Sequence, residues 1–317
     1  MNEMTVKTEH GQWSRYELQI ALLDGLFQPQ KKISQSDLKL RQIDSYYDWH
    51  HDGQTYPKAI HLRLRAPYNL GIEAETVLLA LLYLAEQSGE FQPATMFENI
   101  PLLMAPQGQA QTRAVGVVWI SRYGLLQTSG MGHNQQSYRQ LDKYLEQLSQ
   151  VWVYYKNSIS HWEGSDWFFH YQYNTETETL LAQINWRLAG AVFGRYLKAY
   201  IDLRERHQLK TSSSKALHRW LSAYVWPGKT RRLHYVTLLD HVWFDPPRTP
   251  GAQRFRLHRL KTDILPDLNN LDQWTIQDRS PVVVVSRKAA TVSDNHSHSL
   301  SDNHSHSLSD NHSHRAG

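Results

Sequence analysis

Ala252–Leu265, AQRFRLHRLKTDIL, is the stretch whose reading decides the fold. At about 100° per residue, Leu257, Leu260, Ile264 and Leu268 fall within one stripe roughly 80° wide, the signature of a helix packed by one face. Phe255, Arg256, Arg259 and Thr262 lie about 80° to 180° from the centre of that stripe, so they face away from the core. An ordinary amphipathic surface helix mixes Glu with its Arg, yet Asp263 is the one acid on that side before Pro266. A helix presenting two arginines and a threonine opposite its packing stripe is built like a major-groove reader. Arg can bond guanine O6 and N7 in pairs, and Thr suits several base edges.

Outward from this helix the pattern extends in both directions. Leu197, Ala199, Ile201 and Leu203 alternate with polar residues and predict a strand. Ser212–Ser214 precede a stripe of Ala216, Leu217, Trp220, Leu221, Tyr224 and Val225, a helix that Pro227-Gly228 stops. Tyr235, Val236, Leu239, Val242 and Trp243 mark a second helix. After the third, Trp274–Gln277 and Val282–Ser286 read as short strands. Three helices and a terminal hairpin describe a winged helix. Arg254 and Lys261 sit nearer the packing stripe, which suits phosphate contact or stem packing. Lys229, Arg231 and Arg232 precede the middle helix, while Arg279, Arg287 and Lys288 flank the hairpin, so three basic clusters surround one unit.

The first part of the chain repeats the scheme. Ile60, Leu62 and Leu64 alternate with His61, Arg63 and Arg65, a half-buried strand. Glu73–Gln87 is apolar all round and predicts a buried helix. Val115–Ser121 reads as a strand. Ser137 would cap a helix carrying Tyr138, Leu141, Leu145 and Leu148. Val151–Tyr155 and Trp167–Tyr173 then predict a hairpin, which Thr179–Trp186 would extend. The sequence therefore predicts an α+β protein of two tandem winged-helix domains. Residues 1–59 form an extension and the start of the first domain, 60–190 the first domain and 191–288 the second. The tail, 289–317, repeats SDNHSHSL at 293–300 and 301–308 and is expected to be disordered. Its six His could hold a divalent metal weakly, but duplicated coding sequence accounts for them equally well, and no metal site is assigned.

Charge divides along the same boundary. Residues 1–190 carry 15 Lys and Arg against 19 Asp and Glu, a net of −4; residues 191–288 carry 18 against 8, a net of +10; the tail, with 1 against 3, brings the 317-residue chain to +4. One module thus suits a polyanion, although a solvated basic face is the plain alternative. With no cysteine, disulfides, cysteine zinc sites, iron–sulfur clusters and thiol nucleophiles are excluded. The longest apolar run, Val77–Ala85, is too short to span a membrane, and the polar start lacks a signal-peptide core, so a cytoplasmic protein without membrane association is expected.

Enzymatic patterns fare poorly. Ala223–Thr230, AYVWPGKT, imitates a phosphate loop, but a helix rather than a strand precedes it and Trp226-Pro227 removes flexibility and a donor. A nicking enzyme needs two His flanking an apolar residue, and no such triplet occurs; the rings of His50 and His51 would point to opposite faces of a strand. No carboxylate set or Ser, His, Asp arrangement has informative spacing. Neither catalysis nor a cofactor is expected.

The segment Ala216–Lys288, with LHRWLSAYVWPGKT, LLDHVW, RFRLHRLKTDILPDLNNLDQWTI and a Val-rich end, resembles the C-terminal half of iteron-binding plasmid replication initiators of the broad-host-range IncQ and IncW type. YRQLDKYLEQLSQVWV and WFFHYQY resemble the first half. Together these stretches cover roughly residues 60 to 288. The resemblance implies two winged-helix domains, binding to direct repeats in double-stranded origin DNA, opening of adjacent A+T-rich DNA and recruitment of host initiator and helicase proteins. It also implies a homodimer that limits copy number, no catalysis, and a first domain touching DNA through Arg139 and Lys143. A transcriptional repressor of the same architecture is the alternative from another class, and a primase or nuclease a third.

Overall fold

The computed structural model describes residues 12–29, 40–51, 54–67, 70–88, 90–93, 114–159, 162–193, 198–243, 245 and 247–289. The octad-repeat tail and Leu197 lie outside the described residues. The chain begins with β1 (Trp13–Glu17), α1 (Leu18–Leu22) and a long antiparallel hairpin, β2 (Leu40–His51) with β3 (Gln54–Pro67). The expected buried helix follows as α2 (Ile72–Ser88), whose residues from Ala74 to Leu82 are almost wholly enclosed apart from the flank. Next come β4 (Glu90–Pro93), β5 (Ala114–Ser121), α3 (Arg122–Thr128), α4 (Gln135–Ser149), β6 (Trp152–Asn157), β7 (Trp162–Trp167), β8 (Phe169–Asn174) and β9 (Thr179–Ile184).

Two sequence expectations fail here. Asn134, not Ser137, caps α4: its Oδ1 accepts from the Ser137 amide at 2.9 Å, which starts the helix three residues earlier. The segments 151–155 and 167–173 meet only at their ends and do not form a hairpin with each other. β6 pairs with β7, placing Trp152 opposite Trp167, and β8 pairs with β9, placing Phe169 opposite Ile184. The chain changes sheet at Phe168, which is fully buried and donates its amide to the Val151 carbonyl. Asn185 fastens the corner by donating to Asp166 and to the Trp167 carbonyl. The strand order is therefore β2-β3-β6-β7 in one sheet and β4-β5-β9-β8 in another.

After α5 (Trp186–Val192), β10 (Lys198–Asp202) pairs with β1, so the start of the chain closes against the middle of it. Leu203 belongs to α6 (Leu203–Gln208) rather than to the expected strand, because the Asp202 carboxylate accepts from the Arg204 and Glu205 amides and caps a helix there. Then follow α7 (Ser212–Tyr224), β11 (Thr230–His234), α8 (Tyr235–Val242), α9 (Pro250–Arg259), a π-helical turn (Leu260–Ile264), α10 (Leu265–Asn269), β12 (Trp274–Arg279) and β13 (Val282–Arg287). The last sheet runs β11-β13-β12. The phosphate-loop imitation is a turn between α7 and β11, with Gly228 at φ +77°, not a strand-to-helix loop.

The two halves share one order. α2-β5-α3-α4-β8-β9 and α7-β11-α8-α9/α10-β12-β13 are both helix, strand, helix, helix, strand, strand, with the first strand hydrogen-bonded to the last in each. The first half adds β4 at the sheet edge and the β6–β7 hairpin between its third helix and its last two strands. Each half has its own apolar core, around Leu78, Leu145 and Leu180 in one and around Leu221, Leu260, Ile264 and Trp274 in the other.

Candidate nucleic-acid interface

The helix from Pro250 to Asn269 is built for one-sided burial. Thr249 caps it by accepting from the Ala252 amide, and Pro250 follows at the first position, where a missing N–H costs nothing. Pro266 would leave the carbonyl four residues back without a donor and crowd it; the chain responds with the π turn, in which the Leu265 amide bonds the Leu260 carbonyl. Leu260, Ile264, Leu265 and Leu268 are buried, whereas α9 itself buries no residue completely.

On the open side, Phe255 is 61 % exposed, and Arg254 and Thr262 are exposed with it. Arg256 and Arg259 are half-buried. Arg256 donates Nη1 to the Asp245 carbonyl at 2.6 Å and lies 5.7 Å from the Trp243 ring; a guanidinium has five N–H donors, so this tether leaves others for a base. Arg259 lies 6.0 Å from the Phe255 ring and bonds Asp263 at 3.4 Å, one turn along. The Thr262 hydroxyl reaches both the His258 carbonyl, at 3.0 Å, and Asp263, at 2.7 Å, and its single proton serves one at a time. That hydroxyl, with Arg259, holds the Asp263 carboxyl below its ordinary value. Gln253 and His258 are also exposed on α9, two polar residues that the pattern of arginines in the sequence does not single out. The Thr249-Pro250 start was the available signal for Gln253, since it puts that residue near the helix N-terminus, the end from which groove-reading helices contact bases.

Lys229, Arg231 and Arg232 lie at and along β11, a strand the sequence did not reveal, and all three are exposed. Arg231 and Arg232 are consecutive on this strand, so their side chains leave opposite faces of the sheet. Arg231 sits 5.8 Å from the Tyr224 ring. Lys288 is exposed at the same end, where the Arg287 amide bonds the Lys229 carbonyl, whereas Arg279 is at the far end of the hairpin beside its turn and donates to Gln277. Arg254 and Lys261 differ from each other: the first is exposed, while the second is half-buried, 4.2 Å from the Tyr235 ring and 3.8 Å from Asp278. The Tyr235 hydroxyl donates to Asp278 as well and, with Lys261, keeps that carboxyl below its ordinary value.

Arg287 is the correction. It is 3 % exposed, inside the protein rather than at a surface that could meet phosphate. Its guanidinium donates to the Ser222 carbonyl at 3.1 Å and the Tyr200 carbonyl at 3.0 Å, and it packs 5.1 Å from the Trp274 ring and 5.5 Å from that of Trp13. Burial lowers its pKa. The alternation of β13 explains the placement: Val283, Val285 and Arg287 share its inner face. In the first half, Arg139 and Lys143 are exposed one turn apart on α4, the element that holds the position of α9 in the shared order. Beside them, Asp142 pairs with Arg122 at 2.6 Å.

Comparison with known proteins matches residues 9–280 to the model of the family described as Replication protein C (RepC). Solved structures of domains 2 and 3 of RctB align over most of both chains. One covers 84% of this chain and 94% of its own, at 10% identity and a TM-score of 0.44. A second covers 86% and 97%, at 11% identity and a TM-score of 0.44. Among curated proteins no match was found. Among the described residues, no helix is long and apolar enough to cross a membrane.

Proposed function

Because the chain belongs to the replication protein C (RepC) family, we propose that it initiates plasmid replication by binding direct repeats in double-stranded origin DNA. In this reading each half is a winged helix, and α9 of the second half enters the major groove. Gln253, Phe255, Arg256, Arg259 and Thr262 meet base edges. Arg254, Lys229, Arg231, Arg232, Arg279 and Lys288 meet phosphates, with Lys261 bracing the hairpin against the helix. Arg139 and Lys143 on α4 add a contact from the first half. Bound copies then promote opening of adjacent A+T-rich DNA and recruit host replication proteins, and a homodimer limits copy number. The reading gives the chain no catalytic step.

The observation that carries it is the exposed side of α9, anchored by half-buried Leu257 and by the buried Leu260, Ile264 and Leu268 of the turns that continue it, in the part of the chain whose net charge is +10. A groove-reading helix needs both: a rigid mount and a positive surround that draws in the phosphate backbone. The test is a plasmid carrying the gene and its neighbouring DNA with its own origin deleted. Colonies support initiation. Their absence under good expression, with repeat binding retained in a footprint, assigns the chain to repression instead.

A further inference from the structure

We propose that the outer face of the β2-β3-β6-β7 sheet is a second nucleic-acid site, one that binds a single strand by stacking bases on aromatic rings. This site lies in the first half, apart from α9, and does not rest on the duplex-reading proposal.

Strand register puts the outward residues into three rows across the four strands. The rows are Gln42, Arg65, Trp152, Trp167; then Asp44, Arg63, Tyr154, Ser165; then Tyr46, His61, Lys156, the last with Glu163 next in register. The alternate positions point inward: Ile43, Leu62, Leu64 and Val153 are buried in the first core. Aromatic rings therefore stand in every row. Tyr46 is 56 % exposed and stacks on His61 at 4.5 Å, and Trp152 is 36 % exposed and lies 3.8 Å from Trp167. His61 meets Tyr154 edge-on at 5.7 Å, and the Arg63 guanidinium is 5.7 Å from the same Tyr154 ring.

The spacing suits a chain of nucleotides. Rows two residues apart are about 7 Å apart along the strands, and four strands make a surface roughly 14 Å across. Each base has a flat π face, so rings at this spacing can take successive bases without regard to sequence, as four-stranded sheets with aromatic residues do. Arg65 is exposed between the Trp152 and Gln42 positions, Arg63 lies in the next row and Lys156 in the third, so cations are interleaved with the rings. Asp44 qualifies this charge. It bonds Arg63 and His61, both at 2.7 Å; burial alone would raise its pKa, but those bonds and one from Gln42 bring it to about 2. It therefore competes with phosphate for Arg63.

A second copy of the chain is the other occupant to weigh. Homodimer interface cores are about 65% apolar in area, whereas none of the eleven outward positions described carries an aliphatic side chain. Rings alternating with guanidinium, amide and hydroxyl groups suit a strand of bases better.

The experiment uses the full chain, a labelled twelve-nucleotide oligothymidylate and a duplex carrying the origin repeats. Tyr46→Ala and Trp152→Ala are each expected to weaken oligothymidylate binding about fivefold to a hundredfold, the range for removing one stacking ring, with duplex affinity and melting temperature unchanged. Asp44→Asn is expected to tighten oligothymidylate binding. If Trp152→Ala lowers the melting temperature, Tyr46→Ala decides, since its ring is more than half exposed. Parent-like oligothymidylate binding by Tyr46→Ala overturns the proposal, as does no binding by the parent. So does conversion of a dimer to a monomer with oligothymidylate binding intact, which would give the face to a second copy. Loss of duplex binding by the parent with oligothymidylate binding kept would refute the groove-reading proposal and leave this one standing.

Discussion

Replacing Arg287 with Met separates packing from DNA contact at a residue whose type alone suggests the latter. Methionine keeps an unbranched stem between the Trp13 and Trp274 rings but removes every donor. The Ser222 and Tyr200 carbonyls then lose bonds of 3.1 and 3.0 Å, and the Val225 carbonyl a marginal one of 3.5 Å. Hydrogen bonds from a charged donor contribute about 1.5–3 kcal/mol each, so two good ones give roughly 3–6 kcal/mol. Removing the cost of holding a cation in the interior offsets part of this, leaving a loss of about 2–4 kcal/mol. In a chain of this size that lowers the melting temperature by roughly 3–6 °C. Thermal unfolding measures it directly. Binding to the duplex repeat, taken well below the melting temperature over a series of salt concentrations, should keep its slope. The result that would refute the reasoning is an unchanged melting temperature with the slope reduced by about 1, which would make Arg287 a phosphate contact.

Arg259→Ala is expected to lose about 1–3 kcal/mol of binding confined to the cognate repeat, with little change in stability because its pair with Asp263 is solvent-exposed; equal weakening on scrambled duplex would reassign it to phosphate. Lys229→Ala should weaken all duplexes alike and reduce the salt slope by about 1, read by the same titration. Gly130 sits at φ +70°, and a Cβ there would come within 2.7 Å of the His207 ring; Gly130→Ala should destabilise by about 2–4 kcal/mol in chemical denaturation. Glu205 accepts from His218 at 2.9 Å and Trp274 at 3.0 Å; burial alone would raise its pKa, but these bonds bring it below the ordinary 4.5. Its stabilisation is therefore complete above pH 4.5 and is lost as pH falls through the lowered value. The deficit of Glu205→Gln against the parent should shrink on acidification, and a deficit that grew would contradict this account.

Sequence periodicity located the longer helices and most strands, but not the short α1, α3, α5 and α6, because a helix or strand with one buried face writes its period into the chain only over several turns or residues. α2, α4, α7 and α8 were visible in this way, and so was the α9 to α10 helix, whose π turn shifts register only locally. Among the strands that escaped, β11 had no such period. β11 reads TRRLH, with one buried residue, and is a strand because its backbone pairs with the Val-rich β13. β1 was invisible because its partner, β10, lies 181 or more residues away along the chain. The misplaced hairpin came from two aromatic runs of similar composition that the fold sends to different sheets. At the interface, sequence could name the cations but not tell exposed from enclosed, and Arg287 and Lys288 show the consequence. Adjacent in sequence and alike in charge, they are separated by strand alternation into interior and surface.

One carboxylate is buried between the halves. Glu75 on α2 is fully enclosed and accepts from Arg206 at 2.8 Å and Arg219 at 3.2 Å, both of which are buried. Arg206 also donates to Thr76 and to the Ile72 carbonyl, so α6 and α7 are tied to both the side chains and the backbone of α2. Buried pairs of this kind are weak contributors to net stability but costly to break, because the surviving charge is left without a partner. The opening helices of the two halves, α2 and α7, are therefore held in one arrangement and resist sliding past each other. Charge has meanwhile diverged on this common scaffold. α4 surrounds Arg139 and Lys143 with Asp142 and Glu146, while α9 carries three arginines and no acid. On the proposed reading, a duplex held by the second half has a fixed relation to the first, and whatever the first half binds is presented at a constant offset from the repeat. That rigidity would let a sequence-specific contact at α9 direct a sequence-tolerant one elsewhere on the chain.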